Sequence, residues 1–202
     1  MFIYYADCTG QETNCLYRHN MEITDEASLA EAVRHDYVCA EYRDGYRSNS
    51  NFIRSDCVAV EFDNDHSENP QDWIRPAQIV EMLPDVSVAI HYSRNHMRIK
   101  KGKPARPKFH ALIAIDPVTD AGEYATIKRK LAVFLPFVDT NALDAARFFF
   151  GTEEPLVEFW PGKRTLNALL SEADFDAGLP PGEYGEQVIR EGRRNATMSR
   201  KA

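Results

Sequence analysis

The sequence predicts one mixed α+β domain over residues 1–178, built around a mainly antiparallel sheet, with a small N-terminal α/β unit (1–42) beside a larger part (43–178). Three observations carry this reading. Apolar runs of strand length recur at 57–63, 86–92 and 108–115. Helix-start signals stand at Asp25, Pro76 and Asp120. Finally, 202 residues with 44% hydrophobic content suffice for one substantial core.

The elements follow in order. Residues 1–6 read as a strand. Thr24 or Asp25 caps a helix to about His35, with Leu29, Ala32 and Val33 as its apolar stripe. Residues 37–42 form a strand, and 45–51 are turn-like and polar, flanked by Arg43 and Arg47. A strand over 57–63 leads into a loop over 64–70. Pro76 opens a short helix that ends before Pro84. The strands 86–92 and 108–115 pair across the loop between them. Asp120 and Glu123 make a capping-box-like start to a helix reaching about Leu135. A last strand at 156–160 and a short helix at 165–172 follow. From Leu179 the Gly-, Arg- and Glu-rich composition reads as a tail or linker.

No apolar stretch approaches the length of a membrane span, and the N-terminus lacks the basic and apolar regions of a signal peptide, so a cytoplasmic protein is expected. Cys8, Cys15 and His19 have a spacing unlike a zinc site, and the four cysteines read as free buried thiols. A net charge of −7 argues against a uniformly basic nucleic-acid coat. Locally the balance reverses: residues 94–108 hold seven Lys or Arg and no acid. Such a run is either a solvated loop or a contact for a defined anion.

Four features carry chemistry. In the run Val58-Ala59-Val60-Glu61-Phe62-Asp63, the two-residue period turns Glu61 and Asp63 to one face and Phe62 to the other. Two adjacent carboxylates resist ionising together unless a cation neutralises them, and Mg²⁺ suits such oxygens. Lys108 and His110 likewise share a strand face, as an anion contact or as satisfied strand residues. Asp144, set among apolar residues, needs a partner or a cation; it is either a third carboxylate or the i,i+3 partner of Arg147, whose guanidinium can fork onto an anion. Ser93, Arg94 and His96 open the basic loop within reach of phosphates, or are ordinary loop polarity.

The order Glu61-Phe62-Asp63, then Lys108-Phe109-His110, then Asp144 resembles the three motifs of the archaeo-eukaryotic primase superfamily, the primase-polymerases. More narrowly, the stretches 55–67, 91–96, 106–110 and 142–147 resemble primase-like domains of phage and integrated-element replication proteins, which often precede a helicase. The resemblance covers about 43–162. It departs from the pattern at Glu61, where Asp is usual, and at Lys108, where a small residue is common. It implies an RRM-like palm and template-directed nucleotidyl transfer on single-stranded DNA. Glu61, Asp63 and Asp144 would hold two Mg²⁺ or Mn²⁺ ions. His110 would contact the triphosphate of an NTP or dNTP, with Ser93, Arg94, His96, Arg106, Lys108 and Arg147 as neighbouring ligands. Two rivals share features with it. A metal-dependent nuclease would use Glu61, Asp63 and Lys108. A non-catalytic single-stranded nucleic-acid-binding module would stack bases on Phe62 and Phe109.

Overall fold

The computed structural model describes residues 1–99, 102–139 and 143–172, so the expected tail from 179, Lys100 and Lys101 lie outside the described residues. Two antiparallel sheets and four α-helices make up the described part. The small sheet has order β2-β1-β3, from β1 (Phe2–Tyr5), β2 (His19–Glu22) and β3 (Tyr37–Val38). The large sheet has order β4-β5-β7-β6-β8, from β4 (Glu41–Tyr42), β5 (Phe52–Phe62), β6 (Val88–Tyr92), β7 (Phe109–Val118) and β8 (Val157–Trp160). Every pairing between these strands is antiparallel.

The helices form where their caps are. Asp25 accepts the N–H of Ser28 at 2.7 Å and starts α1 (Glu26–Ala32), which ends one turn short of the expected His35. Pro76 occupies the first turn of α2 (Pro76–Met82), where its missing N–H costs nothing. Asp120 accepts the N–H of Glu123 at 2.8 Å and starts α3 (Ala121–Phe134). A last helix, α4 (Leu166–Glu172), lies where the sequence places it.

Strand alternation sorts the large sheet into two faces. Val58, Val60, Phe62, Phe109, Ala111 and Ile113 join Ile79, Ile127, Leu131 and Leu166 in a core beneath α2, α3 and α4. Cys57, Ala59 and Leu112 turn the other way, against Ile3, Leu29, Val33, Tyr37 and Phe149. The N-terminal unit therefore covers the second face. Among the described residues no helix is long and apolar enough to cross a membrane.

The expected strand over 37–42 is split: Tyr37–Val38 pairs with β1 and Glu41–Tyr42 with β5, so the chain changes sheets at Cys39-Ala40. β5 begins five residues earlier than expected. Its polar first half, with Arg54 exposed, is held by β4 and by the Arg54–Glu41 ion pair at 2.7 Å. β2 was not expected, because His-Asn-Met-Glu has no strand-forming pattern; pairing with β1 makes it a strand. The cysteines are free thiols, but only Cys39 and Cys57 are buried, while Cys8 and Cys15 are half-buried.

Candidate active site

The three central strands set one transverse row. Glu61 of β5 lies opposite His110 of β7, which lies opposite His91 of β6. Asp63 follows directly after β5. Beside this row runs the segment 147–150, anchored by reciprocal backbone bonds between Tyr37 and Phe149 at 2.9 and 2.8 Å. Together they enclose an open cavity of about 330 Å³ whose walls include Glu61, Asp63, Ser93, Arg94, His110 and Arg147. Six residues predicted from the sequence thus share one cavity, although they span 86 positions.

The two acids that line the cavity beside His110, Glu61 and Asp63, are each already paired with a cation. Arg147 donates Nη2 to Oε1 of Glu61 at 2.7 Å and Nε to the same oxygen at 3.2 Å. Burial pushes the Glu61 carboxyl up; Arg147 pulls it down without cancelling that, and Asp139 and Asp63 add to the rise. Lys108 lies 2.8 Å from Asp63 and 3.6 Å from Asp65. Burial opposes the charge on Asp65, yet Lys103, Lys108 and Arg106 together hold its carboxyl below the usual range. A basic loop thus folds back onto the acids that follow β5. Asn64, with φ of 54°, makes that turn; its side chain donates to the carbonyls of Ile74 and Pro107 and accepts from the N–H of Ile74.

Several expected ligands stand elsewhere. The structure does not bring Asp144 to the acidic pair. Its Oδ1 accepts the N–H of Ala146 at 2.8 Å, and it lines a separate depression with Asn49, Gly122 and Arg129. Arg147 pairs with Glu61 and not with Asp144, whose carboxylate turns back onto the N–H of Ala146. Arg106 is 2% exposed; its guanidinium holds the carbonyls of Asn64 and Pro104 and the Asp65 carboxylate, so it braces the loop. His96 packs edge-on to Tyr92 at 4.4 Å and faces the neighbouring cavity of about 500 Å³ with Ser93, Arg94 and Arg98. Arg94 lines both cavities and lies 3.7 Å over the ring of Phe150. Phe62 and Phe109 are each 1% exposed and stack on one another in the core, so neither offers a platform for a base.

Besides His91 of the strand row, two further residues near the site escaped the sequence reading. Asp139 donates its backbone N–H to the carbonyl of Glu61 at 3.1 Å, and its charge acts on the Glu61 carboxyl. The signal for it is an acid closing the apolar run Leu135-Pro136-Phe137-Val138. Tyr37, from the N-terminal unit, reaches the row with its hydroxyl 3.1 Å from Nδ1 of both His91 and His110.

Among the described residues no group of three or more His, Cys, Asp or Glu side chains is arranged to hold a metal ion. Glu61 and Asp63 remain two carboxylates on one open cavity. That donor set fits Mg²⁺, which takes one or two protein carboxylates and completes its shell with water and substrate phosphates.

Both row histidines are neutral. Burial drives His91 down to about 3 and His110 well below the ordinary range, with His91 and Arg147 adding to the latter. Depressed folded values mean stability that is present above about pH 6.5 and lost as pH falls toward the folded values. Each imidazole is expected to contribute a slope of up to about 1.4 kcal/mol per pH unit in that window. Urea unfolding between pH 7 and pH 5 measures it, and the slope becomes shallower in His91→Gln.

No protein-family model matches the chain, and no curated protein does. Among solved structures, the chain is similar to the AEP domain (PP-N190) of the cyanophage S-2L primase-polymerase (PrimPol). Identity is 14% and the TM-score 0.46, over 85% of this chain and 87% of that one. At that distance the likeness transfers no residue role.

Proposed function

We propose that the chain is a metal-dependent nucleotidyltransferase that makes or extends primers on a single-stranded DNA template, taking NTP or dNTP. The observation that supports it best is the single cavity in which Glu61, Asp63, Ser93, Arg94, His110 and Arg147 meet. Phosphoryl transfer needs positioning and charge neutralisation rather than a protein nucleophile, and this cavity supplies both signs of charge without one. The motif order described above adds to this reading.

Glu61 and Asp63 would hold Mg²⁺ or Mn²⁺, with water and the substrate's phosphates completing the shell and Asp144 standing apart on its own depression. The metal would neutralise phosphate charge and activate the attacking hydroxyl. Everything else falls to the chain. Arg147 and Lys108 hold the two carboxylates in place without ligand, and each is a cation that an incoming triphosphate can recruit. Ser93 and Arg94, at the mouth between the two cavities, meet the phosphate tail or the template backbone. His110, neutral, offers a hydrogen bond without adding charge.

Titration of labelled dNTP and NTP with and without Mn²⁺ or Mg²⁺ tests the reading. Metal-dependent binding is expected, with Asp63→Ala abolishing it, and abolishing synthesis, while the domain stays folded by circular dichroism. Asp63 is half-exposed, so its removal leaves no hole in the core. Retained synthesis by Asp63→Ala would remove the central claim. Cleavage of single strands with no nucleotide bound would point to the nuclease instead.

A further inference from the structure

The hydroxyl of Tyr37 is fully buried between two imidazoles, 3.1 Å from Nδ1 of His91 and 3.1 Å from Nδ1 of His110. Nε2 of His91 lies 3.1 Å from Oγ1 of Thr152. Nε2 of His110 makes no hydrogen bond among the described residues, and His110 lines the 330 Å³ cavity. We propose that Tyr37 is a positioning residue for His110: with His91 and Thr152 it forms a hydrogen-bond chain that holds His110 as its Nε2–H tautomer, with that N–H presented to an anion in the cavity.

Proton counting leads there. A phenol donates one hydrogen bond and can accept others; a neutral imidazole carries one N–H and one acceptor nitrogen. If both Nδ1 atoms were acceptors, the single hydroxyl proton would satisfy one and leave the other unpaired in a buried site. If both were N–H, the hydroxyl would accept twice and its own proton would find no partner. Either arrangement carries the penalty of an unpaired buried polar group. The satisfied arrangement gives the two histidines opposite tautomers. One Nδ1–H donates to the Tyr37 oxygen, and the other Nδ1 accepts from the Tyr37 hydroxyl.

The cavity's ligand then sets the direction. This step rests on the nucleotide reading above, whereas the opposition of tautomers does not. A phosphate oxygen accepts hydrogen bonds, so the cavity-facing Nε2 of His110 carries the proton and its Nδ1 accepts from Tyr37. His91 accordingly donates its Nδ1–H to Tyr37, and its Nε2 accepts from the hydroxyl of Thr152. Every proton in the chain is placed. Stacking of Tyr37 on Phe149, with centroids 5.3 Å apart, fixes the ring that carries the hydroxyl. Tyr37 thereby contributes to the site from the N-terminal unit without itself touching the ligand.

Long-range proton–nitrogen correlation spectra of the imidazoles in the full chain at neutral pH, assigned with His91→Gln and His110→Gln, test this without any nucleotide. The expected result is opposite tautomers, with His110 protonated on Nε2 and His91 on Nδ1. Like tautomers, or His110 protonated on Nδ1, would overturn the proposal. Tyr37→Phe keeps the ring and removes the hydroxyl. It should erase the opposition and weaken Mn²⁺-dependent dNTP binding by roughly tenfold, and a variant with unchanged spectra and affinity overturns the proposal. Should that variant not fold, the wild-type spectrum alone decides. Opposed tautomers in a protein that binds no nucleotide would keep the hydrogen-bond chain and sink the nucleotide reading.

Discussion

Arg147→Ala is expected to destabilise the protein by about 2–4 kcal/mol at pH 7, and the deficit should shrink in acid. Removing one partner strands the Glu61 carboxylate, whose side chain is only 15% exposed, without its cation. The figure lies below that for a sealed pair because the Arg147 side chain is 34% exposed. The sign follows from linkage. Glu61 already has a raised carboxyl, and losing Arg147 removes what pulls it down. A raised folded value contributes stability present below the unfolded value and lost as pH rises through the folded one. The variant therefore recovers relative to wild type as pH falls below the raised value of Glu61, where the acid is neutral and needs no partner. Paired urea titrations at pH 7 and pH 4.5 measure the difference. A deficit that stayed constant across that range would mean that Arg147 acts through packing and not through Glu61. Nucleotide affinity should fall in the same variant, since the cavity loses its inner cation.

Asp36→Ala should cost about 3 kcal/mol or more and impair the cavity from a distance. Asp36 is fully buried, and its carboxylate accepts the backbone N–H groups of Gly10, Gln11 and Gly151 at 2.7, 2.7 and 2.9 Å. One side chain thus fastens the loop before β2 to the segment after Arg147. Both segments reach the cavities: Glu12 and Phe148–Phe150 line one, and Thr9, Gly10 and Gly151 line the other. Gly151 cannot be replaced without a similar effect. A Cβ there would sit 2.4 Å from the backbone carbonyl of His35. The expected signature of Asp36→Ala is a lower denaturation midpoint together with faster hydrogen exchange at 8–12 and 149–152. Asp36→Asn, which keeps one acceptor oxygen, should lose about half as much. Wild-type exchange in those segments would show that Asp36 does not hold them.

What was legible in the sequence was what depends on local period. The alternation in Val58–Asp63 places Glu61 and Asp63 on one side and Phe62 in the opposite core. The same rule puts His110 with Leu112 and apart from Phe109. Caps at Asp25 and Asp120 are equally local. Contacts across long separations were not legible. The Arg147–Glu61 pair joins positions 86 apart, and the sequence offered Asp144 as a nearer partner for Arg147. Tyr37 sits in a strand of two residues whose place depends on pairing with β1 and on the bridge to Phe149. Arg106 looked like its basic neighbours, and only the fold shows that Pro104, Asn64 and Asp65 enclose it. Sequence patterns give the face of a side chain; the partner on that face comes from topology.

The row Glu61–His110–His91 has a consequence for assembly of the molecule. A strand shifted by one residue turns every side chain over. A slip of β7 against its neighbours would set Phe109 or Ala111 in place of His110 and would point the imidazole into the opposite core. The cavity therefore exists only when β5, β7 and β6 are all in register and the segment around Phe149, far along the chain, has closed on Tyr37. A ligand of this cavity would discriminate among folded forms, binding the correctly registered sheet and no slipped or partial one. Its binding free energy would add to the stability of that one arrangement. Occupancy would then act as a quality check on the finished molecule, withdrawing the correct register from any pool of misaligned intermediates.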